Sequence, residues 1–276
     1  MVEIIDIIFE LKKKKELRGI PESIIEKIVM KELKKRPYLI EKIEKYKKVK
    51  ELKRDEEFMY FFKEIRKILH ETFGLFSPKD LKKMYEIIYS DLSLEEKIIE
   101  LLMLTNPTKE RLNFYKEIYQ NIFIEEPDNI MDLASGLNPI SIYFSENKPK
   151  KYYYIDISED IININDYILK EMGVDHEGYI LDISEEKEII YKHYQYIFLW
   201  KTIPVLEKID FYLPRRLISK LDFDYLIISF PQKSIGKMRN LGKAWIYWMR
   251  RFTQKLNYKI IKEFQIPYEY FFIIKK

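Results

Sequence analysis

The stretch Ile130-Met131-Asp132-Leu133-Ala134-Ser135-Gly136-Leu137-Asn138-Pro139 decides the architecture. A short apolar run ends in an acid and a glycine, and an Asn-Pro pair then opens a helical segment. That is the pattern of a strand turning tightly into a helix. Twenty residues after Gly136, a second run, Tyr152–Asp156, ends in another acid. Further along the chain, Tyr179–Asp182, Tyr196–Trp200 and Tyr225–Phe230 also read as strands. Asn138–Ser145, Glu159–Met172, Ser184–Tyr191 and Arg215–Leu221 read as helices between them. Such alternation predicts an α/β fold, a parallel sheet with helices on both faces. A helix over Leu241–Leu256 comes next, and Tyr258–Phe264 with Tyr268–Ile274 reads as a closing hairpin.

Upstream the periodicity changes. Apolar positions recur at three and four, as in Ile4, Ile7, Ile8, Leu11 and in Ile24, Ile25, Ile28, Val29, which predicts helices. Ser77-Pro78-Lys79-Asp80 and the capping box Ser93-Leu94-Glu95-Glu96 are helix starts, as is Asn106-Pro107. The expected division is an all-helical domain over 1–105 and a sheet domain over 106–276.

Composition removes several classes of function. The 276 residues include no cysteine, and the three histidines (His70, His176, His193) are far apart. A disulfide scaffold, a thiolate nucleophile and a cysteine- or histidine-rich metal centre are therefore not expected. With 47% hydrophobic and 34% charged residues, the composition is that of a folded chain. No apolar run is long enough for a membrane span, and the first residues lack a signal-peptide pattern. A cytoplasmic protein is the expectation.

Charge is informative once located. Residues 12–54 hold 17 basic and 7 acidic residues, and residues 231–262 hold 9 basic residues and no acid. The second block contains Lys233, Lys237, Arg239, Lys243, Arg250 and Arg251, with Trp245, Tyr247 and Trp248 among them. Two basic blocks with an aromatic cluster point to a polyanion, most often nucleic acid. Trp245 and Trp248, three apart on a helix, suit either stacking on a base or packing on the sheet.

In open α/β sheets the ligand lies beyond the carboxyl ends of the strands. Asp132, Gly136, Asp156 and Asp182 with Ile183 fall at those ends on successive units. The spacing suits an acid that accepts ribose hydroxyls, a glycine that lets backbone approach the ligand, and an acid near an adenine edge. There is no Gly-x-Gly-x-x-Gly and no Gly-Lys-Ser/Thr loop, so a pyrophosphate or triphosphate is poorly supported. S-adenosylmethionine, an adenosine without phosphate, fits best.

At these residues the chain resembles a known family. Asp132-Leu-Ala-Ser-Gly-Leu-Asn-Pro139 is similar to the first motif of the aminoglycoside-resistance ribosomal RNA methyltransferases, which form N7-methylguanine in the decoding region of small-subunit RNA. Thr108-Lys-Glu-Arg-Leu112, Ile197-Phe-Leu-Trp-Lys-Thr-Ile-Pro-Val-Leu-Glu207 and Ile228-Ser-Phe-Pro-Gln-Lys-Ser-Ile235 resemble further segments of that family, in the same order. Departures fall at Thr105, where the family usually has His, at Pro107 in place of Ser, and at the basic Lys237–Lys243 in place of a Gly-rich stretch.

The resemblance implies a Rossmann-like class I methyltransferase sheet and an S-adenosylmethionine-dependent enzyme acting on ribosomal RNA or the small ribosomal subunit. It implies that Arg111 faces the carboxylate of the methionine tail. Asp132, Ala134 and Gly136 would line the cofactor, Asp156 would hold the ribose, and Asp182 with Ile183 would frame the adenine. Lys201 would lie at the reaction crevice and also contact the cofactor, while Lys233 and Ser234 would meet the target nucleotide. Guanine N7 has a lone pair, so no general base is needed; catalysis rests on alignment. A tRNA substrate, adenine N1 as target, or an RNA-binding assembly factor without turnover are the alternatives. No metal, no membrane and a monomer are expected.

Overall fold

Heptad-like apolar spacing gives the amino-terminal residues their helices. A computed structural model describes residues 2–14, 17–18, 20–70, 81–234, 237–240 and 242–276. The chain divides into two compact units, Met1–Lys79 and Asp80–Lys276.

The first unit contains α1 (Ile4–Lys12), α2 (Glu22–Lys34), α3 (Tyr38–Lys45), α4 (Val49–Leu52) and α5 (Glu56–Leu69). Ile7, Ile8 and Leu11 of α1 and Ile24, Ile25, Ile28 and Val29 of α2 are buried, as their spacing predicts. Asp55 caps α5 by accepting the backbone N–H groups of Glu57 and Phe58. The predicted helix start at Ser77–Asp80 lies outside the described residues.

The second unit opens with α6 (Leu81–Ile88), α7 (Leu94–Met103), α8 (Asn106–Arg111) and α9 (Tyr115–Ile122). Ser93 and Glu96 form the predicted capping box at α7. The division therefore falls at 79/80 and not at the expected 105/106. Met84, Ile98 and Leu101 share one apolar cluster with Tyr152, Tyr196 and Ile273 of the sheet. Helicity was visible in the spacing of α6 and α7, whereas the sheet face that buries them was not.

The sheet comprises β1 (Asn129–Leu133), β2 (Lys151–Asp156), β3 (His176–Ile180), β4 (His193–Trp200), β5 (Asp222–Pro231), β8 (Lys259–Ile266) and β9 (Glu269–Lys275); a separate two-stranded ribbon comprises β6 (Lys233–Ser234) and β7 (Lys237–Asn240). The order is β3-β2-β1-β4-β5-β9-β8. The first five strands are parallel, and β9 pairs antiparallel with β5 and β8, giving the expected terminal hairpin. Tyr225 and Ile227 join the cluster under α6–α9. Phe230, of opposite parity, stacks on Trp245 of α13 (Gly242–Lys255). Alternate residues of a strand face opposite sides, so helices cover both faces.

Local expectations failed at four places. The third strand ends at Ile180 rather than at Asp182. Asn138–Phe144 is a 3-10 segment, and Ser184–Tyr191 resolves into two 3-10 turns broken by Glu186 at φ +53°. A short helix, α11 (Ile203–Ile209), precedes α12 (Leu213–Lys220), while α10 (Glu159–Glu171) follows its prediction. Gly178 lies inside β3, where an added Cβ would stand 2.8 Å from Tyr154 Cε2 and 2.9 Å from Ile162 Cγ2. Gly178→Ala should therefore lower stability by about 1–3 kcal/mol, read as a drop in the thermal midpoint.

Candidate functional site

Strand order reverses between β1 and β4, and in open α/β sheets ligands bind beyond the carboxyl ends of the strands at such a point. Past β1 the backbone is left-handed twice, at Ala134 (φ +56°) and at Gly136 (φ +55°). Glycine takes that conformation freely, whereas the alanine is strained there by about 1–2 kcal/mol. Asp156 closes the turn from β2: its Oδ2 accepts the Gly136 N–H at 2.9 Å and its Oδ1 accepts the Ser158 N–H at 2.9 Å. Burial pushes its pKa up, and the backbone donors oppose that shift. From α10, Asn165 Nδ2 donates to the Gly136 carbonyl at 2.8 Å. Both polar groups of the Gly136 backbone are thus held by side chains.

Asp132 sits below this turn and is buried. Its Oδ2 accepts from Asn138 Nδ2 at 2.7 Å and from the Tyr152 hydroxyl at 3.0 Å. Ser141 Oγ donates to the Asn138 carbonyl and pairs with the Tyr119 hydroxyl. Desolvation raises the Asp132 pKa to about 6. Its carboxyl therefore holds the loop from beneath, while Ala134, on the turn itself, is exposed. An acid whose folded pKa is raised stabilises the fold below its unfolded pKa, near 4, and loses that contribution as pH rises through 6. Asp132→Asn keeps an acceptor for both donors. It should gain on the order of 2–3 kcal/mol over the parent at pH 7.5, a gain that vanishes below about pH 4 in urea titrations.

Beyond β3, Asp182 caps the turn that begins at Ile183. Its Oδ1 accepts the Ser184 N–H at 2.8 Å and its Oδ2 accepts the Ser184 hydroxyl at 2.7 Å. Ile183 is buried.

Across the switch point lies a cluster of charges. Arg111, at the end of α8, donates through Nε to Glu269 Oε2 at 2.8 Å and through Nη2 to Oε1 at 2.7 Å. Its guanidinium lies 4.9 Å from the Trp200 ring centroid. Lys201 follows β4 at φ +57°, its N–H bonded to the Ser229 carbonyl and hydroxyl oxygens. Lys201 Nζ reaches Glu110 Oε2 at 2.5 Å and Glu269 Oε2 at 3.3 Å. Ser229 Oγ donates to Glu269. Glu269 opens β9 and pairs in register with Pro231, which puts it at the carboxyl edge of β5. Burial would raise its pKa, but the Arg111 and Lys201 cations outweigh burial and hold it below the usual carboxylate range. Arg111, expected to face a ligand carboxylate, is thus paired with one from the protein. Glu269, Ser229 and Asn165 were not anticipated. The one local signal for Glu269 was an acid opening an apolar strand; Glu110 lay unassigned inside the Thr108–Leu112 segment.

The ribbon β6–β7 continues from β5. The side chains of Lys233, Ser234, Lys237, Arg239 and Lys243 lie outside the described ones. Trp245 stacks on Phe230 of β5 (5.1 Å, 13°), and Trp248 meets the same ring edge-on (6.3 Å, 76°), so both tryptophans hold α13 to the sheet. Arg250 is paired through Nε and Nη2 with Glu263, just past the acid-free block. Arg251 is exposed and lies over the Tyr247 ring. In the first basic block, Lys42 pairs with Asp55 and Glu57, Lys53 with Glu10, and Arg36 with Glu32 and Glu64. Flanking acids therefore cancel part of that charge.

Among the described residues no helix is long and apolar enough to cross a membrane, and no group of three His, Cys, Asp or Glu residues is placed to hold a metal.

Over residues 93–247 the sequence matches the family described as Ribosomal RNA methyltransferase (FmrO). The chain belongs to that family. The match begins at the α7 capping box and runs into α13, so it takes in the Gly136 turn, Asp156, Asp182 and Lys201. The chain is 26% identical over 187 residues to a 16S rRNA (guanine(1405)-N(7))-methyltransferase of Micromonospora echinospora, covering 63% of this chain and 68% of the relative. In fold it is similar to the 16S rRNA methyltransferase RmtF, solved with S-adenosyl-L-homocysteine (TM-score 0.73, 20% identity, 98% of this chain and 96% of that one). It is also similar to the 16S rRNA methylase RmtB (TM-score 0.71, 20% identity, 100% and 99%). Both likenesses extend the shared fold across nearly the whole chain.

Proposed function

We propose that this chain is an S-adenosylmethionine-dependent methyltransferase that modifies guanine N7 of small-subunit ribosomal RNA. The observation that carries this reading is the Gly136–Asp156 turn at the β1/β4 switch point, in a member of a ribosomal RNA methyltransferase family. A carboxylate offers about four acceptor sites, so Asp156 retains capacity for ribose hydroxyls beside its backbone donors. Asp182 and Ile183 would frame the adenine, Ala134 and Gly136 would line the cofactor from β1, and Arg111 would meet the amino-acid tail. Asp132 supports that loop from beneath.

S-adenosylmethionine supplies an electrophilic methyl group on a sulfonium. Guanine N7 presents a lone pair, so no side chain has to remove a proton before attack. The task left to the protein is alignment, which contributes about 7–11 kcal/mol in well-oriented systems. Lys201 borders the crevice, and the β6–β7 ribbon carrying Lys233 and Ser234 would approach the target nucleotide. Lys237, Arg239, Lys243 and Arg251 would contact RNA phosphates, as would exposed lysines of the helical unit. Arg250, matched by Glu263, contributes less. A monomer acting in the cytoplasm fits this reading.

The test is incubation with labelled cofactor and 30S particles, followed by mass spectrometry of the RNA. N7-methylguanine in the small-subunit RNA is the expected product. Transfer only to tRNA or to adenine N1 would replace the substrate assignment. RNA retention with no transfer would leave a binding factor without turnover.

A further inference from the structure

The two sides of the β1/β4 switch point carry different chemistry. Gly136 and Asp156 stand on the β1–β2 side. Arg111, Lys201 and Glu269 stand on the side of β4, β5 and β9. With ribose on Asp156, the residues on the β4 side would be the ones left to meet the sulfonium end of the cofactor.

The cluster holds two cations and two carboxylates in direct contact. Arg111 meets Glu269 at 2.7 Å, and Lys201 meets Glu269 at 3.3 Å and Glu110 at 2.5 Å. The side chains of Glu269, Arg111 and Lys201 are 0%, 3% and 7% exposed, and that of Glu110 is 34% exposed. Water therefore screens little of the inner three, and any net charge among them is felt at a distance. As built, the quartet sums to zero. The geometry is also fixed. Ser229 Oγ donates to Glu269 and accepts the Lys201 N–H, tying the left-handed residue and the carboxylate to one position on β5.

S-adenosylmethionine differs from S-adenosylhomocysteine by one methyl group and one positive charge at sulfur. A crevice wall with a surplus cation would disfavour the sulfonium and retain the neutral thioether. We propose, resting on the reading that S-adenosylmethionine binds in this crevice, that Glu269 is a positioning residue that, together with Glu110, cancels the charge of Arg111 and Lys201. The site thereby accepts a sulfonium and does not favour the demethylated product. Arg111 and Lys201 can then serve as hydrogen-bond donors without making the crevice wall cationic.

The test is calorimetry of the full chain with S-adenosylmethionine and S-adenosylhomocysteine separately. The readout is the ratio of the two dissociation constants. Glu269→Gln should weaken the sulfonium ligand about tenfold more than the thioether. Lys201→Met, which removes a cation, should move the ratio about as far the other way. The double variant Lys201→Met/Glu269→Gln restores neutrality and should return the ratio to within about threefold of the parent. Equal weakening of both ligands by Glu269→Gln is what mere structural damage would produce, and it overturns the proposal. Should Glu269→Gln not fold, an unmoved ratio in Lys201→Met overturns it instead. A parent chain that binds neither ligand fails earlier, at cofactor binding itself, and takes the proposal with it.

Discussion

Asp156→Ala should reduce affinity for S-adenosylmethionine by about 10- to 100-fold. The carboxylate has two tasks that alanine cannot perform. It accepts the Gly136 and Ser158 N–H groups, at 2.9 Å each, and so fixes the turn. It also offers the acceptors proposed for the ribose. Hydrogen bonds to a charged group are worth about 1.5–3 kcal/mol each, and every 1.4 kcal/mol is tenfold in affinity. Asp156→Asn keeps the shape with one acceptor oxygen and should fall between the parent and the alanine variant. Calorimetry at constant pH reads both, with circular dichroism as the check on folding. Parental affinity in Asp156→Ala would remove Asp156 from the site.

The second large effect concerns stability. Arg111→Met leaves the Glu269 carboxylate, 0% exposed, without its bidentate partner. Breaking one side of a buried pair costs about 3–5 kcal/mol, because the remaining charge stays desolvated. For a domain of this size the thermal midpoint should fall by about 10 °C. Lys201 softens the loss, since it also touches Glu269. In Arg111→Met/Glu269→Leu both charges are gone, and most of the stability should return. Scanning calorimetry of the parent, the single variants and the double variant closes the cycle. Additive losses would show that Arg111 and Glu269 are energetically independent. Cofactor affinity should stay low in the double variant, which separates the structural role of the pair from its binding role.

Expectations at particular elements show what local pattern conveys. Ile130–Leu133 and Tyr196–Trp200 are apolar runs bounded by turn residues, and both are parallel strands buried in the sheet. Ser93 and Glu96 advertise a helix start within four residues, and the bonds are there. Ser184–Tyr191 has helical spacing, yet Glu186 enters the left-handed region and splits it into two turns. The seven residues of α11 are too few for periodicity to distinguish from a loop. Trp245 and Arg250 looked alike as members of a basic, aromatic block. Phe230 and Glu263, which claim them, come from other elements.

Neighbouring residues alone suffice for the α/β class, the Gly136 turn with Asp156 beyond it, and the family motifs from Thr108 to Ile235. Each is written within a short segment, where backbone preference and hydrophobic period act. Three-dimensional packing was needed to assign α6 and α7 to the sheet unit and to place Asp132 beneath the loop with a raised pKa. Packing also joined Arg111 to Glu269, 158 positions away, and Lys201 to Glu110, 91 positions away. Charges so distant in sequence meet only when strand order and register bring β9 beside β5. Those pairings depend on which apolar faces bury one another, and no local spacing records that choice.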